Sequence, residues 1–218
     1  NLAVQVGRQV GREEGHRAGD LFGAPRAAQR DRPHGFGARR PLERLAGRIT
    51  DMMLSQNRGN LDEARAYDII ASNRLRYVGN GIDLDRFRPA DHVVAAGEEV
   101  TIICVARMEK VKNHGMLFEA LRRLKDRQLA FRVWLVGKGE MRAENEAACA
   151  HIGIADRVQF FGYRDDVPEL LAQADIATLT SIKEGVPRAA LEAMATGIPM
   201  VATRIAGTED AVRDGETG

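Results

Sequence analysis

Apolar positions follow no sustained period over residues 1–40, take up a helical period after Pro41, and alternate between strand and helix patterns from Val100 onward. In that last part Val100 to Ala106, Phe131 to Val136, Val158 to Phe161, Ile176 to Leu179 and Met200 to Thr203 read as strands. Between them lie helices predicted over Lys112 to Arg127, Glu140 to His151, Val167 to Gln173 and Pro187 to Thr196, with a short helix from Gly207 to Arg213 at the end. Runs such as ICVA and VWLV are apolar nearly throughout, as expected of strands covered on both faces. Strands alternating with helices of this length build βαβ units and hence a doubly wound parallel sheet, with its ligand crevice at the carboxyl ends of the strands. Before this part, Leu42, Leu45, Ile49 and Met52 or Met53 fall at helical spacing, and Thr50 to Ser55 can convert to a short strand. Asn60 with Glu63 three residues on predicts a second helix start, and Leu75 to Val78 a short strand running into the turn Gly79 to Asp83.

One stretch of this pattern carries chemistry. Ser181 to Thr203 reads SIKEGVPRAALEAMATGIPMVAT: a loop, a helix with Pro187 in its first turn and Gly197 as a left-handed cap, then a strand. Glu184 falls in the loop and Glu192 on the helix. The spacing alone fits an ordinary connection with two surface acids; it also fits a loop glutamate beside free helix N–H groups that can hold an anion. By topology the loop after the first strand of the sheet, with Arg107 and Lys112, shares a rim with Glu184, and two cations beside a helix N-terminus describe a diphosphate site. Each cation taken singly also fits a solvated surface.

Composition narrows the field. The 218 residues, 44% hydrophobic, suffice for one or two domains with a sizeable core. A net charge of +1 gives no global field toward nucleic acid or an anionic membrane. The charge is uneven, with ten Arg against five acids in the first fifty residues and no Lys before Lys110. An Arg-rich arm without aromatic interleaving does not describe a nucleic-acid binder, so no nucleic-acid partner is expected. Cys104 and Cys149 lack metal-ligand spacing and read as buried free thiols of a reducing compartment, and no acidic or histidine cluster predicts a metal. His92, His114 and His151 read as isolated surface residues, Trp134 as core, and Met52, Met53 and Met194 as packing. No GxxxxGK[ST] pattern occurs; Gly137 and Gly139 form GxG, but the third glycine of a dinucleotide fingerprint falls at Arg142. A nicotinamide-binding Rossmann-type protein is therefore a weak alternative.

With these residues in view, EGVPRAALEAMATGIPMVAT resembles the E-x7-E region of the retaining family 4 glycosyltransferases, whose GT-B fold sets two Rossmann-like domains around a nucleotide sugar. VGNGIDLDRFRP, VARMEKVKNHGMLFEAL, VGKGEM and VQFFGYRDDVPELL agree in order, and the resemblance runs from about Pro41 to Gly218. It implies an α/β fold with three parts: an irregular Arg/Gly/Ala-rich segment over 1–40, a remnant of an acceptor-side N-terminal domain and linker over 41–90, and a Rossmann-like nucleotide-sugar domain over 91–218. It further implies Glu192 on the donor ribose, Glu184 on the donor sugar, and Gly185, Val186 and Pro187 approaching sugar and phosphate by their backbone. Arg107 and Lys112 would neutralise the diphosphate without a metal ion, and Tyr163 and Arg164 would hold the base. His34, in an HGF segment, resembles a catalytic-side histidine of related enzymes.

Transfer with retention from a nucleoside-diphosphate sugar, a UDP-sugar foremost, to a glycan or lipid-linked acceptor is the implied reaction, with no cofactor. A non-catalytic nucleotide-sugar-binding fragment is the alternative. The implied location is cytoplasmic, at the inner face of the plasma membrane, with peripheral membrane association of the full-length protein. Ala106 stands where the family carries Gly. The chain reads as a fragment cut at both ends, and its first forty residues as displaced frame or damaged gene; continuous family-like sequence upstream in the same frame would contradict that.

Overall fold

A computed structural model describes residues 40–89 and 98–218. The second of these spans forms a five-stranded, all-parallel sheet of β3 (Val100–Val105), β4 (Phe131–Val136), β5 (Val158–Gly162), β6 (Ile176–Leu179) and β7 (Met200–Ala202), in the order β5-β4-β3-β6-β7. The chain first builds outward from β3 to β5, then returns to the other side of β3 with β6. That reversal between β3 and β6 is where a doubly wound sheet opens its crevice. The expected fold class is thus the one observed, and β4 and β6 have the bounds that the apolar runs predict.

The central strands are short and apolar because both faces are covered. Ile103, Val133 and Leu135 are fully buried, packed with Leu117, Phe118 and Leu121 of α3 (His114–Asp126) and with Ala190 and Ala193 of α6 (Arg188–Ala195). Small residues on α6 let that helix lie close to the sheet. The other covering helices are α4 (Arg142–His151), which contributes Cys149, α5 (Val167–Ala172), which contributes Leu170 and Leu171, and the four-residue α7 (Ala206–Glu209). Trp134 is half-buried at the margin of this core, edge-on to Phe161 at 5.7 Å between ring centroids. Both cysteines are free and buried.

The GxG of Gly137 and Gly139 has a packing role. A Cβ on Gly137 would stand 2.0 Å from the Ala106 carbonyl oxygen, and one on Gly139 2.2 Å from that of Met108, distances at which no side chain fits. The β4 exit loop therefore lies directly against the β3 exit loop, held by hydrogen bonds from Ala106 N–H to Val136 O (2.9 Å) and Met108 N–H to Lys138 O (2.8 Å).

Residues 40–89 form a smaller unit: α1 (Arg40–Ile49), β1 (Met53–Ser55), α2 (Arg58–Ala66) and β2 (Leu75–Tyr77), with β1 and β2 paired in parallel. Its core is Leu61, Ala64, Ile69, Ile70 and Leu75. Four sequence expectations are corrected here and in the sheet. Helix α2 starts earlier than Asn60: Asn57 is the N-cap, its side-chain oxygen accepting from the Asn60 N–H at 3.0 Å, so the asparagine three residues upstream captures the orphan donor. Helix α3 begins at His114 because Asn113 takes a left-handed conformation (φ 49°) after a 3-10 turn at Lys110–Lys112. His114 is buried at 4% exposure instead of lying on the surface, turned inward by that same break. Met52 is exposed at 50% and packs nothing into the core.

Candidate functional site

The loops leaving β3 and β6 are stitched together across the reversal point. Ile182 N–H donates to Val111 O at 2.9 Å, and the Thr180 hydroxyl reaches the carbonyls of Lys112 (3.2 Å) and Asn113 (3.0 Å). These bonds place Lys112 opposite Glu184. The Lys112 ammonium donates to Glu184 Oε1 at 2.5 Å, and the Ser181 hydroxyl donates to the same oxygen at 2.6 Å. The side chains of Lys112 and Glu184 are only 16% and 11% exposed, so this ion pair is shielded from solvent and salt far more than a surface pair is. Ser181 is fully buried and takes the Thr203 hydroxyl on its carbonyl, which fixes the serine and through it the carboxylate. Lys112 carries three donors and Glu184 a second oxygen, so each retains capacity toward a polar ligand.

From Glu184 the chain enters α6 through Gly185, Val186 and Pro187, with Pro187 buried in the N-cap position. Nothing lies within 4 Å of a Cβ built on Gly185, so this backbone faces open space. Behind it α7 closes tightly: a Cβ on Gly207 would meet the Gly185 carbonyl oxygen at 1.4 Å. In the first turn of α6 the Ala190 N–H donates to Pro187 O at 3.1 Å, while the N–H groups of Arg188 and Ala189 precede the intrahelical ladder and form the positive end of its dipole. One turn further in, Glu192 projects with its side chain 13% exposed and Arg188 at 3.5 Å. Burial raises its carboxyl pKa above the ordinary value; the positive charges of Arg188 and Arg86 pull the other way.

The remaining expected residues lie around this centre without joining it. Arg107 follows β3 but its guanidinium is 72% exposed and pairs with Glu109 at 2.7 Å, so of the two cations Lys112 alone contacts Glu184. Tyr163 and Arg164 sit on the β5 exit loop. The Tyr163 ring is exposed under Lys138 Nζ, 5.1 Å from its centroid, and Asp165 holds its hydroxyl pKa above the usual value. Arg164 Nε is bonded to Asp166 Oδ1 at 2.6 Å. His34 lies outside the described residues. Among the described residues no group of three or more His, Cys, Asp or Glu is placed to hold a metal ion, and no helix is long and apolar enough to cross a membrane.

Sequence reasoning missed two participants. Ser181 had a local signal, a small hydroxyl residue three positions before Glu184. Asn80 had none: its amide donates to Val186 O at 2.9 Å, a contact between residues 106 positions apart.

Comparison with known proteins bears on the family and the fold. The chain is 29% identical over 173 residues to the lipopolysaccharide core biosynthesis glycosyltransferase LpsE of Rhizobium meliloti, covering 78% of this chain and 49% of LpsE. It is 32% identical over 155 residues to a D-inositol 3-phosphate glycosyltransferase of Mycobacterium, covering 67% and 35%. Among solved structures it superimposes on Anabaena HepE in complex with UDP and glucose with a TM-score of 0.67 at 21% identity, covering 80% of this chain and 50% of that one. The chain thus spans half or less of the length of these relatives. Residues 99–218, the whole five-stranded sheet with its exit loops, match the family model for glycosyl transferases group 1, and the chain belongs to that family.

Proposed function

We propose that this chain is the donor-binding half of a retaining, metal-independent glycosyltransferase that moves a sugar from a nucleoside diphosphate, foremost UDP, to a glycan or lipid-linked acceptor. The observation that carries this reading is the shielded Lys112–Glu184 pair at the carboxyl ends of β3 and β6, with Glu184 in the loop that leads into α6 and Glu192. The complexes of the HepE relative with UDP and glucose support the choice of donor.

In this reading Glu192 accepts the ribose hydroxyls. Its partial burial suits it to neutral hydroxyl donors, which relieve a desolvated carboxylate. The open backbone of Gly185 to Pro187 and the positive end of α6 face the diphosphate, and Lys112 and Arg107 supply the cations. When the bond between the sugar's anomeric carbon and the diphosphate oxygen breaks, its electron pair leaves with the diphosphate. Cations already in place stabilise that growing charge without reorganising at the moment of reaction. Glu184, with one oxygen fixed by Lys112 and Ser181, turns its other oxygen to the sugar hydroxyls. Tyr163 and Arg164 border the base. His34 lies outside the described residues; in this reading it is the acceptor-side histidine. Donor and acceptor must be held together for transfer, so the 218-residue chain by itself transfers sugar slowly or not at all.

Titration calorimetry with UDP, GDP and NAD tests the reading. A nucleoside diphosphate binds and NAD does not. Glu192→Ala and Arg107→Ala each weaken UDP about tenfold, the cost of a charge-assisted hydrogen bond or two. Binding of NAD alone would overturn the assignment.

A further inference from the structure

The segment Gly79 to Pro89 leads from the small unit toward the sheet, and of its motif NGIDLDRF only Asn80 and Arg86 have entered the site described so far. Its path shows where it is anchored. Phe87 is buried in the core of the sheet domain at 6% exposure, and Pro89 lies against the cap of α6, with its Cβ 3.7 Å from where a Cβ on Gly197 would stand. On the way there its side chains touch two of the three elements assigned to the donor. The half-buried Asn80 amide donates to Val186 O, and Arg86 Nη2 donates to Asp165 O at 3.4 Å on the loop of Tyr163 and Arg164.

We propose that Asn80 is a positioning residue of the donor site, orienting the Gly185–Pro187 backbone for the diphosphate by holding the Val186 carbonyl. This rests on the donor-site reading above. The peptide that Asn80 grips precedes Pro187, so it has no N–H, and its carbonyl is the only polar group by which its plane can be fixed. Neighbouring peptide planes are coupled through φ and ψ, so fixing this one at the helix start also sets how the N–H groups of Val186 and Arg188 face the open side. On the other side of Val186, the Gly185 carbonyl lies against Gly207 while nothing stands near its Cβ position. Asn80 thus holds this three-residue backbone by a side-chain hydrogen bond from outside the sheet. Arg86 extends the same arrangement, since its charge also acts on Glu192. The connecting segment therefore ties the disposition of the small unit to the geometry of the donor site.

The test compares Asn80→Asp with Phe87→Leu in the 218-residue chain. Asn80→Asp keeps size and turn tolerance but replaces the donor with an oxygen that repels Val186 O; Phe87→Leu loosens the same segment through its core anchor and leaves the amide in place. Calorimetry should show UDP bound about tenfold more weakly by Asn80→Asp than by the parent chain, and within twofold of the parent by Phe87→Leu, although both lower the melting temperature. If Asn80→Asp binds UDP like the parent, or if both variants lose affinity in step with their stability, Asn80 is structural only and the inference fails while the donor site stands. If the parent chain binds no nucleoside diphosphate, the donor-site reading itself fails and the inference with it.

Discussion

The sheet domain and the small unit before it are both parallel βα structures, yet they differ in how much of their apolar surface finds a partner. In the sheet, β3 has strands on both sides and helices on both faces, and Ile103, Leu135 and Val133 are completely enclosed. In the small unit two three-residue strands pair with one another, and α1 turns Leu42, Leu45 and Ile49 outward at 68%, 59% and 87% exposure. A two-stranded sheet has little independent stability, and its cluster of five buried residues is what holds it. The difference teaches that the sheet domain supplies the rigid frame, while the small unit owes its place to contacts it makes on that frame, such as the Arg58 N–H on Asp210 Oδ2 at 3.1 Å and Asn80 on Val186.

The sharpest way to break that comparison is to cut equal holes in both. Ile103→Ala should cost about 4 kcal/mol in denaturant unfolding, and Leu61→Ala in α2 about 2 kcal/mol, because the thinner core around Leu61 relaxes more readily. Equal losses would show that the two parts unfold as one and are packed alike. Next in size, Gly207→Ala places a methyl group against the Gly185 carbonyl and should cost about 2 kcal/mol through a forced shift of the loop that carries Glu184. If stability is unchanged, that loop is softer than its packing indicates.

A smaller effect belongs to pH. Burial first, and the charge of Lys112 second, hold the His114 imidazole pKa below its ordinary value of 6.5. The unfolded chain therefore takes up this proton at higher pH than the folded one does. The stability associated with neutral His114 is complete above 6.5 and is lost as pH falls through the interval down to the lowered folded value. His114→Leu should flatten the stability profile in that interval. A profile that stays as steep would assign the acid sensitivity to other groups.

The sheet was legible in the sequence because a strand covered on both faces must be apolar throughout. That is a strong local signal, and β4 and β6 fall on their apolar runs residue for residue. Helix starts were less legible, since they turn on single side chains: Asn57 in place of Asn60 at α2, and the left-handed Asn113 that delays α3 to His114. That the loop of Lys112 shares a rim with the loop of Glu184 followed from strand order. What strand order does not carry is which side chains turn toward each other within a rim. Arg107 turns to Glu109, and Asn80 reaches Val186 from outside the sheet altogether.

The central claim is that the nucleotide binds at the carboxyl edge of the sheet. The small unit offers the competing location, a groove of about 500 Å³ lined by Arg40, Arg44, Arg48, Pro41, Leu45 and Tyr67, whose arginines would attract any anion. Amide chemical shifts of the isotopically labelled chain, followed by NMR as UDP is added, separate the two. The account predicts shifts at Lys112, Tyr163, Arg164, Gly185, Val186 and Glu192 with the α1 amides unmoved; shifts confined to Arg40 through Arg48 and Tyr67 would contradict it.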